Sequence, residues 1–187
     1  MGVPVANHPP EAFDEQVTLH GEPPESMKSI KGGWAYEYWI PEVPLDSGEQ
    51  ADLRIFTVLK LHEDGKYQLS YNAVWNMPDP VLGDLVMKVD VNGIKALHVN
   101  ELGTFSLSGE VLLLEPRKVQ YSEVENLHAK QLRYLPNVNH SFIVRHDKES
   151  LAIAGRCATY QIDPVCKDSP IIWYTLKKQR FLKPPGD

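Results

Sequence analysis

Short runs in which apolar and polar side chains alternate are the feature that most constrains the fold of this chain. Residues 34–40 read Trp-Ala-Tyr-Glu-Tyr-Trp-Ile, and similar runs recur along the sequence. A period of two is typical of a β-strand with one buried face. Between such runs, Asp64-Gly65 and Asn92-Gly93 are typical of tight hairpin turns. The pattern therefore predicts an all-β, antiparallel fold.

The spacing of these runs predicts nine or ten strands. They cover 34–40, 53–61, 67–75, 85–91, 94–99, 103–114, 119–124, 142–146, 151–160 and 171–181. Many short strands at near-regular spacing indicate a barrel or a sandwich. Successive hairpins favour an up-and-down barrel, because neighbouring strands in sequence then pair. One segment, Glu123–Leu135, has apolar residues at steps of three and four and is the single helix candidate.

Prolines and glycines divide the chain. The sequence has 12 Gly and 15 Pro, and five of the prolines lie between Pro4 and Pro24. This acidic, proline-rich stretch cannot bury enough apolar surface to fold alone. We expect residues 1–29 to form an arm that is either mobile or draped over the domain as a lid. Residues 30–183 would form the barrel, and residues 184–187 a tail.

The charge balance narrows the choice of partners. The chain carries 19 Lys and Arg against 25 Asp and Glu, a net charge of −6. Nucleic acids and anionic membranes attract basic proteins, so we expect neither as a partner. No apolar stretch reaches the roughly 18 to 20 residues of a membrane-spanning helix. Residues 1–13 lack the pattern of a signal peptide, which predicts a cytoplasmic protein. The oligomeric state, a dimer included, stays open.

Motifs for metals and cofactors are missing from the sequence. The 7 histidines form no His-x-His or His-Glu-x-x-His pattern, and no phosphate loop or dinucleotide fingerprint occurs. We therefore expect no metal and no cofactor. Cys157 and Cys166 are too few for a disulfide framework, and we expect two free thiols; a local disulfide between them is the alternative.

Several segments together resemble the lipocalins. Gly32-Gly33-Trp34 resembles the Gly-x-Trp signature of that family, and segments 64–67 and 103–112 resemble the hairpins of small lipocalin-like barrels. The resemblance implies an up-and-down barrel of eight to ten strands that can hold one small ligand. It also implies that a basic residue of the last strand, here Arg180, packs over Trp34. A cytosolic relative of the wider lipocalin-like group fits this chain best, and that group includes both ligand binders and cyclases of natural-product pathways.

Strand parity selects candidate site residues. If Trp34 points inward, Tyr36 and Tyr38 do as well, and Glu37 faces outward. Extending this parity gives the predicted ligand-binding set: Tyr36, Tyr67, Leu69, Trp75, Phe105, Leu107, Tyr121, Phe142 and Trp173. Such a lining suits a hydrophobic or aromatic small molecule. The alternative is that these aromatic side chains fill a solid core.

Two functions are compatible with such a cavity. The first is binding of a hydrophobic or aromatic small molecule inside the barrel. The second is a cofactor-free cyclase or isomerase that folds a reactive substrate there. For the enzyme, Tyr38 and Tyr71 would donate hydrogen bonds, and His146 and Glu123 would transfer protons. The sequence alone does not decide between binder and enzyme.

Overall fold

The computed structural model describes residues 9–44, 48–76, 94–125, 128–129 and 131–180, and most of them lie in β-strands. A helical turn, α1 (Met27–Ile30), precedes the first long strand, and a 3-10 turn, Pro164–Lys167, precedes the last. The strands in these ranges are β1 (Glu11–Ala12), β2 (Gly32–Pro44), β3 (Gln50–Leu61), β4 (Lys66–Asn76), β5 (Ile94–Ser108), β6 (Val111–Glu125), β7 (His128–Ala129), β8 (Arg133–Leu135), β9 (His140–His146), β10 (Ser150–Arg156) and β11 (Ile171–Lys178).

Eight of these strands close into an antiparallel barrel. They pair in the order β2–β3–β4–β5–β6–β9–β10–β11, and β11 pairs again with β2 through Lys177–Ala35 and Lys178–Trp34. Closure satisfies the backbone hydrogen-bonding groups that an open sheet edge would expose. The predicted all-β, up-and-down barrel is confirmed. β7 and β8 lie off this path and pair with the second half of β6.

The barrel core follows the predicted period of two. On β2, Trp34, Tyr36 and Tyr38 point inward and are buried, whereas Trp39 is 62% exposed. Glu37 faces outward, as predicted, and forms an ion pair with Arg54 of β3. Burying such large aromatic side chains supplies much of the driving force for closure.

One end of the barrel is closed by α1 and the start of β2. Ile30 is fully buried, and its carbonyl accepts a hydrogen bond from Trp34 Nε1 at 2.8 Å. The cation over the Trp34 ring is Lys178, whose Nζ lies 5.7 Å from the ring centroid. The prediction that Arg180 fills this position is wrong, because Lys178 is the residue in register with Trp34. Arg180 lies beyond β11 and pairs with Glu149 at 3.4 Å.

The described part of the N-terminal arm is draped over the barrel. β1 pairs with β11 at Trp173 and Ile172, next to the stretch of β11 that pairs with β2. Phe13, Val17 and Leu19 of the arm pack on an outer cluster that contains Ala152 and Ala154 of β10. The contacts of residues 11–19 are with the outer side of β10 and β11, and the lid role of the arm stays a prediction. The arm therefore buries an outward face that would otherwise be apolar and exposed.

Three local predictions need correction or lie outside the described residues. The helix expected over Glu123–Leu135 is wrong: the end of β6, then β7 and β8, occupy this segment, because pairing with β6 overrides the local helical spacing. β2 continues past residue 40, where the predicted strand ends, because a bulge between Ile40 and Val43 accommodates Pro41. The strand predicted at 85–91, its Asn92-Gly93 turn and the tail 184–187 lie outside the described residues.

Candidate functional site

The interior of the barrel is largely filled by its own side chains. Trp34, Tyr36, Tyr67 and Tyr71 are among the largest fully buried side chains. A small void of about 20 Å³ lies between Tyr71 and the β9 side chains. Such a void holds about one water molecule, far less than a drug-sized ligand requires. In this part of the barrel the aromatic side chains thus form a packed core.

Most of the predicted ligand-binding residues share that core. The predicted residues that belong to the main apolar cluster, as buried or partly buried members, are Tyr36, Tyr67, Leu69, Trp75, Phe105, Leu107, Tyr121 and Phe142. Trp173 is the exception, because it packs in the outer cluster beneath the arm. The parity assumed for β11 was off by one residue, since Ile172 and Tyr174 are its inward residues. Trp173 therefore does not face the interior.

Two predicted catalytic residues, Tyr38 and Tyr71, meet on a carboxylate that the sequence did not single out. Asp163 is 2% exposed; Oδ1 accepts a hydrogen bond from the Tyr38 hydroxyl, and Oδ2 accepts one from the Tyr71 hydroxyl at 3.2 Å. The Tyr71 oxygen also accepts the Ile162 N–H at 3.0 Å. Both tyrosines are thus committed to anchoring the segment around Asp163.

The protonation behaviour of this cluster follows from burial. Burial raises the pKa of Asp163 above its usual value, and the hydrogen bonds from Tyr38 and Tyr71 oppose that rise. Burial, followed by the nearby Asp163 carboxylate, also raises the pKa of Tyr36, Tyr38 and Tyr71 far above 10. The three phenols therefore remain neutral hydrogen-bond donors at any ordinary pH.

Asp163 belongs to a loop that is closed by a disulfide. Cys157 and Cys166 are bonded, with their Cα atoms 6.1 Å apart, so the prediction of two free thiols is wrong. Nothing in the spacing of two cysteines forecasts pairing, because pairing depends on how the β10–β11 connection folds back. Between the two cysteines, Tyr160 and Asp163 reach into the barrel with their polar groups. We call residues 157–166 the plug loop.

A cleft of about 510 Å³ opens beside the plug loop, where β9 begins and leaves β6. Apolar side chains make up much of its wall: the buried or half-buried Phe13, Val119 and Leu135, and the exposed Val111, Val138, Ile143 and Ile171. Its lining joins these residues to the inward-facing Glu101 and His140. The cleft therefore leads from the outer surface of β9–β11 to a polar group inside the barrel. We call it the lateral cleft.

The floor of the lateral cleft is a second buried carboxylate cluster. Glu101 of β5 has no exposed surface, and its Oε1 accepts a hydrogen bond from the Tyr67 hydroxyl at 2.5 Å. Its Oε2 accepts one from the Tyr160 hydroxyl at 3.0 Å and contacts His140 Nε2, also at 3.0 Å. No described residue hydrogen-bonds to the other ring nitrogen of His140. The carboxylate thus holds the imidazole by one ring nitrogen, and the other has no partner in the part of the chain that the structure describes.

The predicted proton-transfer pair, His146 and Glu123, is not brought together. His146 ends β9 at the closed end of the barrel, where its backbone bonds to Glu22 of the arm. Glu123 lies near the far end of β6 and accepts a hydrogen bond from the Tyr121 hydroxyl. β9 runs antiparallel to β6, and its register places the two residues at opposite ends. The histidine and glutamate that do meet, His140 and Glu101, are 39 residues apart in sequence.

The important polar residues gave only weak signals in the sequence. Glu101 and Asp163 look like ordinary acidic residues beside a strand and a turn, and only the register of β5 turns Glu101 inward. A sharper parity argument could have found Glu101, because Val99 and Phe105 of the same strand face inward. His140 is the first residue of β9, so no alternation before it in the sequence predicts that its side chain faces inward.

Comparisons with known proteins give no relative: no family model, curated protein or solved structure matches the chain. Within the described ranges, no group of three or more His, Cys, Asp and Glu side chains is arranged to hold a metal ion. In the same ranges, no helix has the length and apolar character needed to cross a membrane. The barrel geometry is compatible with the lipocalin resemblance, and membership of that family stays a prediction.

Proposed function

We propose that this chain is a lipocalin-like protein that binds a mainly apolar small molecule in the lateral cleft. The observation that supports this is the combination of exposed apolar walls with the buried Glu101–His140 pair at the floor. A volume of about 510 Å³ falls in the range of small-molecule sites, which is roughly 300–1,000 Å³. The predicted ligand class is thus retained, whereas its place moves from the barrel centre to the side.

The exposure of the cleft walls strengthens this proposal. Val138 is 55% exposed and Val111 39% exposed, although both are apolar and line the same concave surface. Clustered apolar exposure on a concave surface is typical of a binding site, whereas isolated exposed residues are ordinary. A ligand covering this surface would gain on the order of 25 cal/mol for each Å² of apolar area removed from water.

The test is binding of an uncharged, apolar fluorescent dye such as Nile red to the purified protein. Replacing Val111 with Trp should fill the cleft and weaken dye binding about tenfold. Leu102→Trp is the matched control, because Leu102 is also 39% exposed on a barrel strand but does not line the cleft. Equal affinities of both variants and the unmodified chain would contradict the proposal.

The Glu101–His140 pair also favours a second candidate function, proton-transfer catalysis of the cyclase or isomerase class. A carboxylate that holds one imidazole nitrogen orients the other as a general base. This site replaces the predicted His146 and Glu123. Turnover that survives in His146→Gln and is lost in His140→Gln would support the enzyme. Mass spectrometry measures both the retained compound and its product. If the protein retains a candidate substrate and forms no product, the enzyme is excluded and the binding function remains.

The disulfide bears on the compartment in which the chain works. Disulfides persist in oxidising compartments and are rare in the cytosol. The Cys157–Cys166 bond therefore favours an oxidising compartment over the predicted cytoplasm. Alkylation of protein captured from its native cells without reductant should label neither cysteine; labelling of both would restore the cytoplasmic prediction.

A further inference from the structure

We infer that the ligand of the lateral cleft is an apolar carboxylic acid whose carboxylate binds Arg156 at the outer end of the cleft. This inference rests on the proposed function and adds the chemical class of the ligand. It is carried by one cationic side chain that lines a mainly apolar cleft and has no anionic partner among the described residues.

Arg156 is the last residue of β10 and lies in the lining of the cleft. It is exposed, and its register partner on β11 is Ile171, which belongs to the apolar wall. Residues in direct register on antiparallel strands have Cβ atoms about 4.5–5.5 Å apart. The guanidinium therefore starts next to the surface on which an apolar ligand would rest.

No ion pair or hydrogen bond joins the Arg156 side chain to any described residue. Among the other described arginines, Arg54, Arg145 and Arg180 each pair with a glutamate, and Arg133 lies over the Tyr121 ring. Arg117 has no ion pair with a described residue either, but it does not line the cleft. A guanidinium presents its N–H groups as a planar fork that matches one carboxylate. A phosphate dianion usually needs more than one cation, and Arg156 is the single lysine or arginine in the lining. A monoanionic carboxylate thus fits best.

The rim around Arg156 adds hydrogen-bond donors and no competing anion. Asn139, Ser141 and Thr159 line the cleft and are exposed. Glu101 is the one acidic residue of the lining, and it is fully buried beneath its hydrogen-bonded partners. Its two oxygens accept hydrogen bonds from Tyr67 and Tyr160, so it does not present a bare carboxylate to the ligand. The chain carries a net charge of −6, so attraction of an anion must come from this local group.

The experiment compares naphthalene-2-carboxylate with its uncharged methyl ester by isothermal titration calorimetry. The two probes share the aromatic body and differ in the anionic group. Arg156→Gln should weaken binding of the carboxylate about tenfold, equivalent to about 1.4 kcal/mol, and change binding of the ester less than twofold. Arg117→Gln is the matched control: it removes the same charge from an exposed site that does not line the cleft.

The outcomes separate this inference from the proposed function. A carboxylate affinity that is unchanged in Arg156→Gln, or equally reduced in Arg117→Gln, would overturn the inference while leaving a neutral ligand in the cleft. If both probes bind the unmodified chain and Val111→Trp weakens neither, the cleft itself is wrong. Selective loss of carboxylate binding in Arg156→Gln alone supports the inference.

Discussion

Glu101 shows how one residue can link the stability of the barrel to the chemistry of its cleft. Its carboxylate has no exposed surface and is contacted by Tyr67, Tyr160 and His140, which come from β4, the plug loop and β9. Buried carboxylates are tolerated only when donors surround them. Three separate parts of the chain are therefore held together at the floor of the lateral cleft.

Replacing Glu101 with Ala should be strongly destabilising. The change leaves the buried Tyr67 hydroxyl and the half-buried Tyr160 and His140 without their shared partner, so we expect the free energy of unfolding to fall by about 3 kcal/mol. Urea denaturation followed by tryptophan fluorescence measures this. The control is Glu110→Ala, whose partly exposed pair with Arg145 should contribute under about 1 kcal/mol. Similar losses in the two variants would show that the buried cluster has no special role.

Asp163 gives a prediction about pH. Because burial raises its folded-state pKa, the folded protein holds this proton more tightly than the unfolded chain does. Its contribution to stability is therefore complete below the ordinary aspartate pKa of 3.8 and is lost as pH rises through the folded value. Asp163→Asn, which cannot ionise, should gain stability relative to the unmodified chain as pH rises from 4 to about 7. A difference between the two proteins that stays constant with pH would contradict the raised pKa.

At the scale of elements, local sequence signals were most reliable where strands and turns are concerned. The alternation on β2 and the Asp64-Gly65 turn between β3 and β4 are observed, with Gly65 at a φ of 83°. Local spacing gave a wrong prediction over 123–135. Apolar residues three and four positions apart indicated a helix there, but described residues of this segment pair with β6 as strands. Strand pairing is a long-range interaction, so short windows of sequence do not contain it.

Gly103 of β5 lies beside a bulge of β6, where Arg117 is the extra residue between the partners of Leu102 and Gly103, and it is a sharp test of element packing. A Cβ added to Gly103 would lie 2.2 Å from the Glu115 carbonyl oxygen, which cannot move without shifting β6. We expect Gly103→Ala to lower the free energy of unfolding by about 2–3 kcal/mol. Gly109→Ala meets no atom within 4 Å and should lose only about 1 kcal/mol, from its positive φ. Thermal unfolding measures both, and the reverse order would refute this packing.

The disulfide should hold the plug loop in place. Replacing both Cys157 and Cys166 with Ser removes a cross-link with a sequence separation of 9, which corresponds to about 2.5 kcal/mol of unfolding free energy. The freed loop should also expose the Ile162 N–H, which donates to Tyr71, to faster hydrogen exchange. Reducing the unmodified chain serves as a chemical control and should reproduce both effects. Unchanged exchange at Ile162 would mean that the hydrogen bonds of Tyr160, Ile162 and Asp163, and not the disulfide, hold the loop.

At the scale of the whole molecule, the sequence predicted the architecture better than the site. Strand parity and closely spaced turns were enough for an antiparallel barrel, because each signal is local and repeated. The floor of the cleft joins Glu101, His140 and Tyr160, which approach one another only after β5, β9 and the plug loop are assembled. Three tyrosines predicted to face a cavity, Tyr38, Tyr67 and Tyr71, instead donate hydrogen bonds to the buried carboxylates of Asp163 and Glu101. Composition alone does not distinguish these two roles.

The central claim is that the ligand site lies at the side of the barrel and not at its centre. The most direct measurement is methyl NMR of the chain, labelled at Val, Leu and Ile, during titration with methyl 2-naphthoate. The account predicts chemical-shift changes at Val111, Val138, Ile143 and Ile171, which line the cleft. Shift changes confined to the interior residues Leu59, Leu69 and Leu176, with none in the cleft, would contradict it.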